Sequence, residues 1–496
     1  MGNKKHKRNP KEAPKPFRIV QRPEIVSPPI KLAPPPAPPP VNAPFPFHVL
    51  RTAGTLLGLC LVPNYIPYFE NYKVFDWAVV PRVLDFGTHA ASSHPIEEEQ
   101  QHLRPDTSVE RAMTLPLIDA AHDLDRFYGS LLKTERKEAG AITRILHYGD
   151  SPTTADMITA DVRDLLQKQF GDAGHGFALI AKPWAWYGHR GLEIRGSGWS
   201  YGTAGHGSDK DGLCGLGAVS FTGYSGARSR IKLRDATHTR VEVSFLQQPD
   251  GGEFSLVADD QVLGSVNTRG DETKAGFAAF EIPAGAGVFE IRDLRGKSRV
   301  FGMRFEKDTP GLIYSSLGVN GAYISLLARM MDEDHWAEQL RHNKPDLLII
   351  NYGTNESVND LFVDRVFEPE LRRVIARIRK ATPGTSILIM SPMDRGKRQS
   401  TGDIGTVPSL QRLVALEQRV AAAEKCAFFN TFQAMGGPGT MGRWYEAEPR
   451  LVGADFIHPM PAGAKMVGNL LYKAVLDGYN HYKQRQLNEG FAKLKD

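Results

Sequence analysis

The feature that most constrains the fold is a series of apolar runs of strand length, each followed by loop residues and helical sequence. The run at 142–148 precedes an amphipathic pattern over 154–170. Four later runs are LIYSSLG at 312–318, DLLIINYG at 346–353, TSILIMSP at 385–392 and CAFFNTF at 426–432. Apolar strands that alternate with helices predict an α/β fold, with a parallel sheet between two helical layers.

This α/β pattern is interrupted over about residues 171–308. Short alternating runs replace the helical period there, among them TRVEVSF, EFSLVAD and GVFEIRDL. Closely spaced strands without intervening helices are typical of a β-sandwich. We therefore expect an inserted β-sandwich domain at 171–308, within an α/β domain formed by 70–170 and 309–485, of which 70–140 has a mixed pattern.

The start of the chain differs in composition from the rest. Residues 1–22 form a basic tail, in which positions 1–18 carry seven Lys and Arg against Glu12, a local charge of +6. The whole chain carries +5, so the other 478 residues together carry −1. A nucleic-acid-binding protein should carry positive charge on its folded body, so nucleic acid is not an expected partner. Residues 23–47 contain eleven prolines, which favours an extended linker.

An uncharged segment follows this linker. Within residues 48–69, the eighteen residues at 52–69 carry no charge, which is close to the length that spans a bilayer. Basic residues in front of such a segment favour export of the chain that follows it. We expect a signal anchor that tethers the protein to a membrane. The alternative is an apolar segment docked on a cytoplasmic protein.

Polar groups follow several predicted strands at one edge of the sheet, where ligands bind in folds of this kind. Ser151 lies in GDSP, at the turn into the first helix. It is either a nucleophile or a helix cap. Gly321 follows the second strand and Asn355 the third, and Asp455 stands three residues before His458. That spacing lets a carboxylate orient an imidazole, which could then take a serine proton.

These motifs resemble those of the SGNH (GDSL-type) hydrolases. The matching blocks are GDSPTTADMITADVRDLL, LGVNGA, NYGTNE and DFIHPMPAGAKMVG. The resemblance implies a flavodoxin-like three-layer fold and a triad of Ser151, His458 and Asp455. It implies no metal and no organic cofactor. The implied oxyanion donors are the N–H groups of Ser151 and Gly321, with Gly318 as a substitute for Gly321, and the side chain of Asn355.

Two further features narrow the resemblance. The run QKQFGDAGHGF and the inserted β domain are similar to bacterial peptidoglycan O-acetylesterases and related envelope polysaccharide esterases, in which a carbohydrate-module-like jelly roll interrupts the hydrolase. This implies an acylated polysaccharide or peptidoglycan as substrate and a location in the bacterial envelope. An O-acyltransferase with the same residues, or a non-catalytic carbohydrate-binding or assembly protein, are the alternatives.

Candidate substrate contacts lie beside the first block. Asp150 precedes the serine, and Trp184, Trp186 and Tyr187 offer flat rings to sugar faces, although half or more of the nearby aromatic residues are expected in the core. The neighbouring histidines match no metal-binding spacing, so no metal site is expected. They are His175, His189 and His206.

Overall fold

The computed structural model of the protein describes residues 115–493. The predicted basic tail at 1–22, the linker at 23–47 and the signal anchor at 48–69 lie outside the described residues. Within 115–493, no helix is long and apolar enough to cross a membrane.

Strands alternate with helices before and after a long β-rich segment. The strands are β1 Ile142–Gly149, β2 Gly176–Ala178, β3 Leu192–Thr203, β4 His206–Gly207, β5 Val219–Leu233, β6 Arg240–Gln247, β7 Glu253–Ala258, β8 Gln261–Asn267, β9 Lys274–Glu281, β10 Val288–Arg295, β11 Ser298–Glu306, β12 Gly311–Gly318, β13 Leu347–Asn351, β14 Ser386–Met390, β15 Gly396–Arg398, β16 Ile404–Thr406 and β17 Ala427–Phe429. The α-helices are α1 Asp125–Glu135, α2 Ser151–Thr154, α3 Ile158–Phe170, α4 Glu333–Asn343, α5 Asp360–Phe362, α6 Glu368–Ala381, α7 Pro408–Ala423, α8 Thr431–Ala434, α9 Thr440–Glu446 and α10 Pro461–Lys493. Shorter helical turns occupy Leu326–Met330, Glu356–Val358 and Val363–Phe367.

The α/β part contains a five-stranded parallel sheet in the order β12-β1-β13-β14-β17. This is the 2-1-3-4-5 order of flavodoxin-like folds, so the predicted fold class is confirmed. Successive residues of β1 face opposite layers: Ile145 packs with α1, α3 and α10, whereas Leu146 packs with α4, α6 and α7. Each such buried aliphatic side chain stabilises the fold by about 1.5–3 kcal/mol. Gly149 pairs with both Gly318 and Asn351, so three predicted motifs begin at one sheet edge.

The first helix differs from its prediction. The apolar pattern predicts one helix over 154–170, but the chain forms α2 and α3 with a break between them. Asp156 lies in the break with φ of +51°. Its buried carboxylate accepts hydrogen bonds from Arg163 Nη2 at 2.8 Å and from the Arg190 N–H at 2.7 Å. These contacts with a distant loop interrupt the helix, and periodicity does not reveal them.

The inserted segment forms an antiparallel β module. Its ten strands, β2 to β11, are hydrogen-bonded into one sheet, in which seven strands follow the order β8-β7-β10-β5-β11-β6-β9. The prediction of an inserted β-rich module is confirmed, and hydrogen bonds join its strands in one continuous sheet. β5 pairs with β11 near its start and with β10 near its end, so this strand connects two parts of the hydrogen-bonded ladder. β8 and β9 are the two end strands of that order, and Gly264 of β8 packs against the ring of Phe280 in β9. Because its end strands meet, the sheet is nearly barrel-like.

The β module shares a core with the α/β part. The Tyr148 hydroxyl, at the end of β1, donates to the Leu216 carbonyl oxygen at 2.9 Å. The Trp336 indole N–H of α4 donates to the same hydroxyl at 3.1 Å. All three side chains are buried in one apolar cluster, so this contact fixes the module against the sheet that carries the predicted site.

Candidate active site

The structure brings Ser151, His458 and Asp455 together, although the serine and the histidine are 307 residues apart. Ser151 is the first residue of α2, directly beyond β1. His458 Nε2 lies 2.8 Å from Ser151 Oγ, and His458 Nδ1 lies 2.6 Å from Asp455 Oδ2. A hydroxyl next to an imidazole that is oriented by a carboxylate is the arrangement that activates a serine nucleophile.

The loop that carries Asp455 and His458 is held by its own hydrogen bonds. Asp455 Oδ1 accepts from the N–H groups of Ile457 at 3.0 Å and His458 at 3.1 Å. The intervening Phe456 has φ of +58°, and its carbonyl oxygen accepts from the Gly396 N–H at 2.9 Å. Burial opposes ionisation of Asp455, but the hydrogen bonds from His458 and Ile457 outweigh it and lower its pKa. The ionised carboxylate therefore favours the tautomer with a proton on His458 Nδ1.

Two of the expected oxyanion donors are backbone N–H groups. Within the described part of the chain, neither the Ser151 N–H nor the Gly321 N–H donates a hydrogen bond. Gly321 is exposed, has φ of +70° and has open space on its Cβ side. Gly318 is buried, and a Cβ there would lie 2.1 Å from the Thr154 nitrogen. The alternative donor Gly318 is therefore packed against α2, whereas Gly321 is accessible.

Asn355 lies beside the same turn. Its Nδ2 donates to the Ala322 carbonyl oxygen at 3.0 Å and to Asp150 Oδ2 at 3.5 Å. These two bonds fix the amide between the loops that follow β12 and β1. The bond to Asp150 is the longer of the two, so that N–H is the one that could donate to an oxyanion instead.

Asp150 is a buried carboxyl group next to the serine. Burial raises its pKa to about 6, against a hydrogen bond from Thr354 and the charges of His458 and Arg395. Asp150 Oδ2 accepts from Asn355 Nδ2, so Asp150 helps to position the Asn355 amide. The structure therefore gives Asp150 a supporting position behind Asn355, and its predicted role as a substrate contact stays a prediction.

The sequence analysis did not identify Arg395 as a residue of the site. Its Nη1 donates to the Thr354 carbonyl oxygen at 2.6 Å, and it interacts electrostatically with Asp150 and Asp455. It follows β14, at the same carboxyl edge as the predicted motifs. A search for polar residues after each predicted strand, as applied to the other strands, would have identified Arg395.

Glu356 was also missed. Its carboxyl group is fully buried and accepts from the Ile324 N–H at 2.6 Å and from the Gly353 N–H at 3.0 Å. It thereby joins the loop of Gly321 to the turn of Asn355. Burial raises the pKa of Glu356 to about 8. Burial, together with the charge of Glu356, also raises the pKa of Glu417. The signal that could have identified Glu356 is a charged residue in the turn that follows an apolar strand.

The raised pKa of Glu356 predicts a pH-dependent stability. Between its ordinary pKa of 4.5 and about 8, the folded state keeps a proton that the unfolded chain has lost, so the free energy of unfolding falls as pH rises. Glu356→Gln should reduce this fall by on the order of a few kcal/mol. Urea denaturation at pH 5 and pH 8.5 measures the change. Glu272→Gln, at a side chain that is 78% exposed, is the control and should keep the wild-type slope.

The predicted aromatic contacts differ in accessibility. Trp186 is 75% exposed, and Trp184 is partly buried. Tyr187 is only 5% exposed, and its hydroxyl accepts from the Leu179 N–H at 2.9 Å. The prediction that Tyr187 contacts substrate is therefore not supported, because packing and this hydrogen bond hold the ring in the core.

The three histidines considered in the sequence lie near β2, β3 and β4. The rings of His175 and His189 stack at 5.5 Å, and His206 lies apart from them on β4. Across residues 115–493, no group of three His, Cys, Asp or Glu side chains is arranged to hold a metal ion.

A groove of about 420 Å³ extends from Gly321 between the α/β part and the β module. One wall carries Tyr323 and Phe362, whose rings meet edge to face at 5.2 Å. The other wall carries Trp184 and Tyr201, whose rings meet edge to face at 6.4 Å. Its volume is within the range of small-molecule sites, and it is continuous with the candidate oxyanion loop.

One protein family matches the chain. Residues 282–466 match the GDSL-like lipase/acylhydrolase family. This region includes Gly321, Asn355, Asp455 and His458 but not Ser151, which the inserted module separates from the other blocks. No curated protein sequence matches the chain.

Several solved structures are similar to it. A structure described as a peptidoglycan O-acetylesterase in action is 22% identical, covers 74% of this chain and 99% of that chain, and has a TM-score of 0.64. A family two carbohydrate esterase from Clostridium thermocellum in complex with cellohexaose is 11% identical, covers 53% and 95%, and has a TM-score of 0.26. A carbohydrate esterase family 3 protein from Talaromyces cellulolyticus is 16% identical, covers 35% and 73%, and has a TM-score of 0.25. The first of these shares the fold.

Proposed function

We propose that the chain is an SGNH-type carboxylic ester hydrolase that removes acetyl groups from a polysaccharide or peptidoglycan through Ser151. The match of residues 282–466 to the GDSL-like lipase/acylhydrolase family supports this proposal. The observation that carries this proposal is the hydrogen-bonded series Ser151, His458 and Asp455, in which the imidazole contacts both the hydroxyl and the carboxylate. The structure most similar in overall shape among those described above is a peptidoglycan O-acetylesterase, which supports this substrate class.

The first half of the proposed reaction forms an acyl-enzyme. His458 Nε2 takes the proton from Ser151 Oγ while the oxygen attacks the ester carbonyl carbon, a general-base effect worth about 10²–10⁴ in rate. The carbonyl oxygen becomes an oxyanion, which accepts from the N–H groups of Ser151 and Gly321 and from Asn355. The imidazolium then gives its proton to the leaving sugar oxygen as the ester C–O bond breaks.

Water completes the reaction. His458 takes a proton from water, the hydroxide oxygen attacks the acyl carbon, and the same donors hold the second oxyanion. The bond to Ser151 Oγ breaks, the imidazolium returns a proton to that oxygen, and acetate leaves. His458 is half-exposed, so water reaches it without a change in structure.

Asn355→Ala tests the oxyanion site. Removal of one oxyanion donor lowers kcat by about 10²–10³-fold, and KM for a small aryl acetate should change little. Asn359→Ala is the matched control, because that side chain caps α5 and lies outside the site. A fall in kcat of less than about threefold for Asn355→Ala would remove Asn355 from the mechanism.

The groove supports a polysaccharide as substrate. It begins at the oxyanion loop, and it presents aromatic rings from both walls on which the apolar faces of a pyranose ring could pack. A sugar that carries the scissile ester would lie there with its acyl group at Ser151. Tyr201, which is 43% exposed, is the most accessible of these four rings.

Substrates of two sizes test this part of the proposal. Tyr201→Ala should raise KM for O-acetylated peptidoglycan by about 2- to 10-fold and leave aryl acetate hydrolysis unchanged. Tyr224→Ala, at an exposed tyrosine of the module outside the groove, should change neither. Free acetate should appear in the amount lost from the glycan; transfer of acetyl to an added glycan would instead indicate an acyltransferase.

A further inference from the structure

A second concave surface lies on the β module and shares no residue with the groove or with Ser151, His458 and Asp455. It is a cleft of about 770 Å³ formed by β3, β5 and β10. Four arginines and two carboxylates line it, together with serines and small residues. The charged residues are Arg195, Arg228, Arg230, Arg292, Glu290 and Asp293. The cleft therefore has an excess of positive charge in a chain whose residues beyond position 18 carry a net −1.

The strand register places the arginines on one face. Arg195 of β3 lies directly opposite Arg230 of β5, and Arg228 lies opposite Ser197. Ile291 of β10 pairs with Ser229, and the neighbouring residues Arg292 and Arg228 both line the cleft. The adjacent residues Ile194, Ile231 and Ile291 are buried in the core, so the arginine side chains occupy the outer face.

Like charges directly opposite each other destabilise a sheet. Glu290 partly compensates, because its oxygens lie 3.3 Å from Arg230 Nε and 3.6 Å from Arg292 Nη1. Arg195 and Arg228 are exposed, and within residues 115–493 neither of them pairs with a carboxylate. An anionic ligand would supply the charge that the cleft lacks.

The other residues of the cleft indicate which anion fits. The cleft contains no aromatic ring on which a nucleic acid base could stack. The hydroxyl groups of Ser197 and Ser225 suit sugar hydroxyls, whereas Ser229 is only 1% exposed and faces the core. Planar guanidinium groups bind carboxylates through two parallel hydrogen bonds. We propose that this cleft binds a carboxylate-bearing glycan strand, at a site separate from the ester-cleaving centre.

The binding site does not depend on the proposed esterase activity, so the test uses the full chain with Ser151→Ala. The probe is polygalacturonate, and its fully methyl-esterified form, which lacks the carboxylates, is the matched ligand control. Calorimetry should show binding of the first and none of the second. Arg195→Gln with Arg228→Gln should weaken binding by about tenfold or more.

Two further variants separate charge from geometry. Lys210→Gln with Lys274→Gln removes the same charge from other parts of the module and should change affinity less than twofold. Arg195→Lys with Arg228→Lys keeps the charge but not the planar donors, and should recover only part of the binding. Equal binding of the methyl-esterified polymer, equal weakening by the lysine control, or tighter binding of a single-stranded oligonucleotide through the same arginines would overturn the proposal.

Discussion

Ser151→Ala is expected to lower kcat/KM for a small aryl acetate by at least about 10⁴-fold. The substitution removes the oxygen that lies 2.8 Å from His458 Nε2 and leaves the imidazole without a nucleophile to deprotonate. The fold should be unaffected, because the variant loses only a partly exposed hydroxyl at the start of α2. Steady-state hydrolysis with the purified protein measures the loss.

Ser200→Ala is the matched control for this experiment. Ser200 is exposed on β3 of the module and lines neither the groove nor the cleft. The control should keep wild-type activity and circular dichroism. Comparable hydrolysis by Ser151→Ala and the wild type would show that another group attacks the ester.

The second large effect is expected for Asp455→Asn, which should lower kcat by about 10³–10⁴-fold. The Asn oxygen could still accept from the N–H groups of Ile457 and His458, so the loop should keep its shape. The Asn NH₂ group would instead face His458 Nδ1, where it cannot accept a proton. The imidazole would then carry its proton on Nε2 and could not take one from the serine.

Another Asp–His pair in the chain provides the control. Asp477 Oδ2 lies 3.7 Å from His481 Nδ1 on α10, and Asp477→Asn should leave kcat unchanged. The pH–rate profile supplies a readout that a purely structural defect would not move. If Asp455→Asn lowers activity by the same small factor at every pH, Asp455 acts only on the loop and not on the imidazole.

The sequence was sufficient to predict the α/β architecture because its signals are local. The apolar runs at 312–318 and 346–353 correspond to β12 and β13, and their polar ends lie at one edge because parallel strands share their direction. The same reasoning brought Ser151, Gly321 and Asn355 to one place in the prediction. Their catalytic roles stay proposals until the substitutions are made.

The remaining features depend on contacts between segments that are distant in sequence. The break at Asp156 requires the Arg190 N–H, which arrives from the inserted module. The nearly closed sheet requires β5 to pair with different strands at its two ends. The sequence indicates that half or more of the aromatic residues near Trp184 are buried, but not which ones. Tyr187 is buried by the core, and its hydroxyl accepts from the Leu179 N–H. Local patterns do not encode such pairings.

The most direct measurement for the central claim is covalent labelling by a fluorophosphonate, followed by mass spectrometry of the digested protein. The activated serine should give a single adduct on Ser151, and His458→Ala should slow labelling by about 10²-fold or more, because the general base is lost. Saturating ester substrate should protect the serine. An adduct on another residue, or labelling at the same rate without His458, would contradict the account.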